Sequence, residues 1–545
     1  MKPLISLNKQ ESKLRDLLLQ TAEYVGKTRS SKAPELRFTG GWVRDKLLGS
    51  TSHDIDISID NMTGFGFANL IKEYLERGEG RLKYEPNILG GLAKIEANPE
   101  KSKHLETVTT HVFGLDVDLV NLRKETYSET SRNPTMEFGT PEEDAMRRDA
   151  TVNALFYNLS STAVEDFTGR GLQDMELKVI KTPLPALQTF KDDPLRVLRA
   201  VRFASRLGYD IDANDKKAMR DETIKEALRV KISRERIGTE IIKMLKGAYL
   251  NSVMRTAIAE LCPGPDPRCA LGLIDDLGLY QTIFTDPTVS VPSSPDQSTW
   301  AVAFGTLHGI LRSPDSTAQT AKTLQTINKL LVRDESDCFL AWTLVCFVPW
   351  AELLPQTLSK ASSKKSASYA GLAAREGIKA DNKICKIVDD AVTYRHEVLS
   401  LRDSMLNSEP LLSSRKRKAA AVGREVHGMA IRAWGVHWRT IVMFSLLWEV
   451  SKATSEEHRG ILLAQYATWV EHLQALGLLD VDKLKQLVDG NQISQAFGGV
   501  KKGPWMKKAM DIAMEWQLRS PEATDPKLGL QEVVDRKKEL GFGEH

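Results

Sequence analysis

A pair of adjacent glycines between two short strand-like segments constrains the fold of this 545-residue chain more than any other feature. Residues 38–49 indicate the end of a strand, a tight turn at Gly40 and Gly41, and then a short helix. The next strand alternates polar and apolar residues, which places Asp54 and Asp56 on one face and isoleucines on the other. We therefore predict a sheet that carries two carboxylates beside a glycine turn.

The two carboxylates are suited to a hard cation. Acids two residues apart on one strand repel each other unless a cation lies between them, and Mg²⁺ takes oxygen ligands while leaving positions free for phosphates. An isolated Asp-x-Asp is also compatible with a solvated strand face. A later strand, residues 114–120, offers a third acid, for which we choose Asp118 because a polar run follows it. A charged sheet edge explains Asp118 equally well.

The glycine turn is suited to a phosphate group. Adjacent glycines let the backbone approach a ligand closely, and the helix that follows points its amides at that ligand. Arg44, one turn into this helix, adds a charge that suits phosphate. A tight corner between strand and helix is the alternative explanation. We predict that Gly41 and Arg44 contact a phosphate.

Periodicity divides the chain into a mixed part and a helical part. Residues 1–180 combine strand-like and helical segments, whereas apolar residues recur at helical spacing in most of the remainder. The fold class we predict is α+β, with a mixed β-sheet and helices first and a long all-α region after it. A stretch around residues 355–425 is rich in Ser, Ala and Lys and is predicted to be a flexible insertion.

Charge and cysteine content exclude several classes of protein. Lys and Arg total 75 against 72 for Asp and Glu, which excludes a uniformly basic protein surface but not local basic patches. The five cysteines form no Cys-x-x-Cys pair, so neither a disulfide framework nor a zinc ribbon is indicated. No apolar run approaches the roughly 20 residues of a membrane span. We expect a soluble intracellular protein with no membrane association.

Several motifs in a fixed order resemble one enzyme family. The glycine turn with Arg44, followed by Asp54-x-Asp56, resembles the signature of the polymerase-β-like nucleotidyltransferases. More specifically, the chain looks like the eukaryotic branch of the class II tRNA nucleotidyltransferases, the CCA-adding enzymes. Later segments match the family in order, with a dense match from about residue 38 to residue 240. These segments are residues 147–154, 165–169, 192–199 and 233–236.

The resemblance implies a reaction. Family members add C, C and A to the 3′ end of tRNA from CTP and ATP without a template and release pyrophosphate. Two Mg²⁺ ions are expected, with Asp54 and Asp56 as ligands and with Asp118 as a third catalytic carboxylate. A poly(A) polymerase of the related type shares the same head motifs and remains an alternative. A non-catalytic tRNA-binding protein with a decayed head is a second alternative, although no motif is broken.

The resemblance also implies how the nucleotide is read. Arg148 resembles the arginine that contacts the triphosphate or the sugar; an ion pair at a helix start is its structural alternative. Asp193 would accept a hydrogen bond from the amine of cytosine or adenine, and Arg196 would donate beside it. Uracil or guanine would set a carbonyl against the carboxylate, at a cost of about 1–3 kcal/mol. Arg199 and Arg202 would lie nearer the phosphates, although a capping Asp193 and a solvated basic helix explain the segment as well.

The family organisation implies three regions. Residues 1–180 would form the nucleotidyltransferase head, 181–250 a helical neck that reads the base, and 251–545 a helical body and tail that bind the acceptor and TΨC arms of tRNA. Residues 129–143 have loop composition and resemble the flexible loop of the family. We expect a cytoplasmic protein with nuclear and mitochondrial pools; residues 415–418 are basic enough for a nuclear import signal.

Overall fold

The protein is described here by a computed structural model. It forms two compact units, Met1–Ile283 and Phe284–His545. The described residues are 4–28, 32–50, 54–77, 93–95, 107–128, 131–246, 266–287, 294–312, 318–353, 368–407 and 423–542.

The first unit is built on a mixed seven-stranded sheet. Its spatial order is β3-β4-β5-β2-β1-β8-β9, and all neighbours are antiparallel except β2 and β5, which run parallel. A separate hairpin joins β6 to β7. The strands are β1 Leu36–Thr39, β2 Asp54–Ile59, β3 Ala93–Ile95, β4 Thr107–Val112, β5 Leu115–Asn121, β6 Arg123–Ser128, β7 Ser131–Phe138, β8 Leu155–Asn158 and β9 Val164–Asp166.

Some helices of the first unit pack on one face of this sheet, and the others form a helical segment that follows the sheet in the chain. A pair of two-residue strands, Val179–Ile180 and Asp210–Ile211, ties that segment together. The helices are α1 Lys9–Thr28, α2 Gly41–Leu47, α3 Gly64–Glu76, α4 Pro141–Met146, α5 Gly171–Glu176, α6 Ala186–Asp192, α7 Leu195–Leu207, α8 Ala213–Met219, α9 Glu222–Lys231, α10 Arg234–Leu245, α11 Pro267–Asp276 and α12 Tyr280–Ile283.

The core of the first unit lies between the sheet and helices α1 and α3. Ile55 and Ile57 of β2 are buried there, together with Leu14 and Leu17 of α1 and Phe67 of α3. Because side chains alternate along a strand, the burial of these isoleucines turns the aspartates of β2 to the opposite face. The alternation predicted for this strand is confirmed, and the mixed sheet with helices confirms the predicted α+β class.

Two predicted segments differ in detail from the structure. Residues 129–143, predicted as a loop, contain β7, which pairs with β6, and the start of α4, where Thr140 and Glu143 form a capping box. Cross-strand pairing gives this polar segment a regular structure that its composition did not indicate. The helix predicted from Asp193 begins at Leu195, with Pro194 as its N-cap. The carboxylate of Asp193 nevertheless accepts a hydrogen bond from the Leu195 amide at 3.1 Å.

The second unit is helical throughout its described residues. Buried tryptophans fill its core, and two of them donate to backbone carbonyls, Trp300 to Val345 and Trp350 to Phe284. The helices are Trp300–Leu311, Gln319–Leu331, Glu335–Val345, Tyr369–Leu372, Asn382–Leu406, Arg424–Trp434, Trp438–Lys452, Glu456–Ala475, Gly490–Ala496, Trp505–Arg519 and Pro526–Asp535.

Two features of the second unit bear on the sequence predictions. The predicted insertion around 355–425 contains the 25-residue helix Asn382–Leu406, while residues 354–367 and 408–422 lie outside the described residues. At the end of the chain, Trp505 packs against Phe497 and Phe542 in a small separate cluster. Among the described helices, none is both long enough and apolar enough to cross a membrane.

Candidate active site

A cavity of about 710 Å³ in the first unit collects every residue that the sequence predicted for the site. It opens over the face of the sheet opposite the core and is walled by α2 and α7. Polar and charged groups form most of its lining, as expected for a site that holds a charged ligand. The predicted residues in its wall are Gly41, Arg44, Asp54, Asp56, Asp118, Arg148, Asp193, Arg196, Arg199 and Arg202.

The parallel pairing of β2 and β5 brings the acids together. Asp56 stands opposite Asp118 in the register, and Asp54 stands opposite Asp116. Asp118 lines the cavity and accepts a hydrogen bond from the Thr109 hydroxyl at 2.6 Å. Asp116 contacts His111 of β4 and does not line the cavity. The choice of Asp118 over its neighbour therefore agrees with the geometry.

The charge of Asp56 is not fully balanced by the protein. Burial raises the pKa of its carboxyl group, and the negative charges of Asp118 and Asp54 raise it further, whereas Arg148 opposes the change. A dication between these carboxylates would relieve both the burial cost and the repulsion. In the part of the chain that the structure describes, no three His, Cys or acidic side chains are grouped so that they could hold a metal ion by themselves. The acids instead fit Mg²⁺, which usually binds one or two carboxylates together with substrate phosphates.

Gly40 is the residue of the turn whose backbone requires glycine. Its φ of +74° lies in the region that L side chains rarely adopt. A Cβ atom on Gly40 would lie 3.1 Å from Arg148 Nη1 and 3.3 Å from Asp56 Oδ2. The turn therefore lets the backbone pass close to both a cation and a carboxylate of the site. Gly41 begins α2, and a Cβ atom there would lie 3.3 Å from Arg44 Nη2.

Arg44 is buried in the wall of the cavity. Its Nε and Nη2 donate to Asp45 Oδ1 at 2.8 and 2.6 Å, and its Nη1 donates to Asn153 Oδ1. The guanidinium also lies over the Phe203 ring of α7, 5.8 Å from the ring centre. These contacts join the turn, the segment that precedes β8, and helix α7. Arg44 therefore adds positive charge to the cavity from a fixed position.

Arg148 is held by an ion pair and also lines the cavity. It forms an ion pair with Asp144 of α4 at 2.9 Å, which is the contact expected at the start of a helical element. It also lines the cavity, where its Nη2 donates to the Thr39 hydroxyl at 2.7 Å and its Nη1 donates to the Asn153 carbonyl at 3.2 Å. The buried Asp144 thus holds Arg148 close to Asp56 without removing it from the site.

The arginines of α7 are not a solvated basic face. Each of the arginines along its cavity side forms an ion pair with an acid from a different part of the first unit. Because these acids come from β6, the segment after α4, α10 and α2, they fix the rotation of α7 relative to the sheet. The pairs are Arg196 with Glu125 (3.6 Å), Arg199 with Asp149 (2.5 Å), Arg202 with Glu240 (2.6 Å) and Arg206 with Asp45 (3.3 Å).

The pair between Arg199 and Asp149 is the shortest of these. Burial alone would raise the pKa of the Asp149 carboxyl group, but the charge of Arg199 and hydrogen bonds from Asn153 and Arg199 lower the pKa to about 2. The Arg199 side chain is still 38% exposed, so part of its guanidinium faces the cavity. Asp149 consequently stays ionised and aims Arg199 at the space where a ligand would lie.

Asp193 lies at the start of α7, on the wall of the cavity. One of its oxygens accepts the Leu195 amide, and the other lies 3.4 Å from Arg236 Nη2 of α10. Arg196, one turn along, has a side chain that is 8% exposed. Both side chains contribute to the same wall, as the reading of one base by both residues requires.

Several residues of the site were not predicted from the sequence. Asp45, Glu125, Arg206 and Arg236 line the cavity, and each takes part in an ion pair described above. Arg206 continues the helical spacing of the α7 arginines and could have been found from that spacing. Asp45, Glu125 and Arg236 show no such spacing in the sequence, and their partners lie on other elements.

Comparison with known proteins places this geometry in a family. The poly A polymerase head domain matches residues 36–181. The chain is 40% identical to the nucleotidyltransferase lcsQ of Purpureocillium lilacinum, over 99% of this chain and 93% of that protein. It is 38% identical to the mitochondrial CCA tRNA nucleotidyltransferase of Candida glabrata, over 97% of this chain and 96% of that protein.

A solved structure shares the fold. A CCA-adding enzyme in complex with CTP aligns with a TM-score of 0.60 at 18% identity, covering 98% of this chain and 96% of the other. The similarity therefore extends through the helical second unit and is not confined to the head. With full-length relatives above 30% identity, the chain belongs to the class II tRNA nucleotidyltransferases, the CCA-adding enzymes.

Proposed function

We propose that this protein adds C, C and A to the 3′ end of tRNA from CTP and ATP, releasing pyrophosphate. The observation that carries the proposal is one cavity lined both by the carboxylates of β2 and β5 and by the Asp193 and Arg196 pair of α7. Carboxylates alone would fit any nucleotidyl transfer. The pair of α7 adds a means of selecting a base, which full-length relatives named as CCA tRNA nucleotidyltransferases support.

A nucleoside triphosphate fits the cavity in size and in charge. A volume of about 710 Å³ lies in the range of small-molecule sites. Arg199 and Arg206 have side chains that are 38% and 40% exposed, so they can contact phosphate oxygens while their acidic partners hold them. Arg148 and Arg202 are more buried and would add charge and orientation from the wall.

Base selection follows from the donors and acceptors of α7. Asp193 accepts from the exocyclic amine of cytosine or adenine, and Arg196 donates to the adjacent ring atom. Uracil and guanine present a carbonyl where the amine would be, which leaves two acceptors facing each other. Such a mismatch costs about 1–3 kcal/mol for each unpaired group, and no nucleic-acid template is needed to impose it.

The acids of the sheet prepare the reaction. Asp54 and Asp56 would hold Mg²⁺, with Asp118 as the third carboxylate. When bound, the ions lower the pKa of the attacking hydroxyl and neutralise the leaving pyrophosphate. The chain's own part is to place the carboxylates on one rigid face, fixed by the register of β2 and β5. Thr109 holds the Asp118 carboxylate on this face.

The second unit would bind the tRNA. Double-helical RNA is held by its shape and its backbone, so exposed basic residues on rigid helices are suitable contacts. Lys501 and Lys507 near the end of the chain are exposed, and their neighbours Lys502 and Lys508 are oriented by Asn491 Oδ1 and the Glu539 carbonyl. We assign this surface to the tRNA acceptor and TΨC arms.

The reaction also suggests where the protein acts. tRNA is matured inside the cell, so we propose a cytoplasmic protein with nuclear and mitochondrial pools. The relative from Candida glabrata is named as mitochondrial, which supports the last of these. Fractionation of cells that express the tagged chain would test this assignment.

A direct assay tests the proposed function. The purified protein is incubated with tRNA that lacks its 3′ terminus, with all four nucleotides and Mg²⁺, and the product 3′ ends are sequenced. We expect C, C and A to be added, and the double variant D54A/D56A to bind tRNA without extending it. Long A tracts would indicate a poly(A) polymerase, and no extension by the wild type would indicate a non-catalytic protein.

A further inference from the structure

Glu125 of β6 lies among three arginines: Arg123 of its own strand, 3.4 Å away, and Arg147 and Arg196 from other elements. Its Oε1 accepts a hydrogen bond from Arg147 Nη1 at 3.0 Å, and its Oε2 lies 3.6 Å from Arg196 Nη2. The side chain of Glu125 is 6% exposed and that of Arg196 is 8% exposed. One oxygen of the carboxylate is thus anchored by a neighbouring segment, and the other faces α7.

The contact with Arg196 differs from the other ion pairs of α7. Arg196 has the least exposed side chain of the four paired arginines, yet its separation from the acid is the longest. A buried guanidinium needs a nearby negative charge, because burial without one is strongly unfavourable. At 3.6 Å the contact is electrostatic and longer than a hydrogen bond. Glu125 therefore places a negative charge beside the buried Arg196 guanidinium.

The position of Glu125 is itself determined by the surrounding structure. In the register of β6 and β7, Glu125 stands opposite Met136, which also lines the cavity. Arg147, its anchor, forms an ion pair with Asp144, the acid that also holds Arg148. The carboxylate of Glu125 is therefore part of a connected set of charges that runs from α4 through β6 to α7.

We propose that Glu125 is a positioning residue that sets the base selectivity of the enzyme through Arg196. This proposal rests on the proposed function, because it assumes that Arg196 reads the base. Cytosine and adenine differ in size, so their hydrogen-bonding edges reach different points of the cavity. An Arg196 guanidinium that is held in place by an electrostatic contact can meet the hydrogen-bonding edge of either base. Rejection of uracil and guanine, in contrast, requires that Arg196 stay beside Asp193.

The variant E125Q tests this proposal because it keeps the shape of the side chain and removes its charge. The readout is the ratio of kcat/KM for CTP to that for UTP on tRNA that lacks its terminus, and for ATP to GTP on tRNA ending in CC. We expect each ratio to fall about tenfold or more, the effect of one misplaced polar contact. The control E11Q removes a buried glutamate paired with Lys46 at 2.7 Å, away from the cavity, and should leave both ratios unchanged.

A double-mutant cycle separates positioning from a general loss of structure. If Glu125 acts through Arg196, E125Q will change neither ratio further in an R196A background. If E125Q does not fold, E125D carries the test, because it keeps the charge and shortens the side chain by one methylene; we expect its ratios to fall as well. Unchanged ratios in the folded variant, or independent effects in the cycle, would overturn the proposal. Failure of the wild type to add C, C and A would instead refute the proposed function.

Discussion

Asp56 and Asp118 are cross-strand neighbours on the parallel strands β2 and β5, and both side chains line the same cavity. Neither residue is near the other in the sequence, so the register of the two strands creates the acidic centre. The same register places Asp116 opposite Asp54, but Asp116 contacts His111 and does not line the cavity. The two aspartates of β5 therefore provide a matched pair for mutagenesis.

We predict that D118N lowers the single-turnover rate of nucleotide addition about a hundredfold or more, the effect of losing several kcal/mol of charge stabilisation at a metal site. D116N makes the same chemical change on the same face of β5 and should stay within about threefold of wild type. Rapid-quench measurement with radiolabelled CTP compares the two. Equal rates for both variants would show that Asp118 is not a catalytic carboxylate.

We predict that G40A lowers the addition rate about tenfold, because the added atom shifts groups of the site by a fraction of the roughly 1 Å that costs about a hundredfold. Its new Cβ atom would press on Arg148 Nη1 and Asp56 Oδ2 in addition to straining the backbone. G114A is the control, since Gly114 has a similar φ of +79° with nothing within 4 Å of the added atom. If G114A reduces the rate as much as G40A, strain alone explains the effect and the close approach does not.

Much of the site was predictable because its signals are local. The alternation of β2 gave the face of Asp54 and Asp56, and the helical spacing of α7 gave its basic side. The two explanations offered for Arg148 proved compatible, since the pairing with Asp144 is what holds it in the cavity wall.

The partners of the α7 arginines were not predictable from the sequence. The positions of Glu125 and Asp45 opposite Arg196 and Arg206 depend on how the β6–β7 hairpin and α2 pack beside α7. Such pairings are tertiary contacts, and periodicity within one element carries no information about them. The loop predicted for residues 129–143 was wrong for a related reason, because a polar segment becomes a strand only when its partner strand is present.

We predict a pH-dependent effect of Asp215, a buried acid at the start of α8. Burial raises the pKa of its carboxyl group to about 6, with Asp212 adding to the rise and bonds from Thr182 opposing it. Because the folded pKa exceeds the unfolded one, ionisation of this group opposes folding; the cost is full above about pH 6 and disappears as the pH falls through the unfolded pKa of about 4. D215N, which stays neutral, should raise the free energy of unfolding by about 1–3 kcal/mol at pH 7.5 and by clearly less at pH 4.5.

Thermal unfolding of the wild type and of D215N at pH 7.5 and at pH 4.5 measures this difference in stability. D212N is the control, since Asp212 is partly exposed and paired with Lys181 at 3.0 Å, and its pKa is lowered by contacts that outweigh its burial. It should not stabilise the protein at pH 7.5. A D215N variant that is less stable than wild type at pH 7.5 would contradict the prediction.

We predict that K501E and K507E each weaken tRNA binding about tenfold at low salt and leave the KM for CTP unchanged. Each replacement removes one favourable phosphate contact and adds a repulsive charge, and both effects should diminish as salt rises. K386E is the control: Lys386 is also exposed in the second unit but pairs with Asp390 at 2.6 Å. Filter binding across a salt series gives the comparison, and equal weakening by K386E would assign the effect to net charge alone.

We propose that one cavity selects C, C and A in turn without a template and then stops. The most direct test is single-turnover addition of each of the four nucleotides to tRNA truncated before the first C, after the first C and after the second C. We expect CTP addition to the first two substrates, ATP addition to the third, and no addition to the completed end. Addition of UTP or GTP at comparable rates, or continued addition of A, would contradict it.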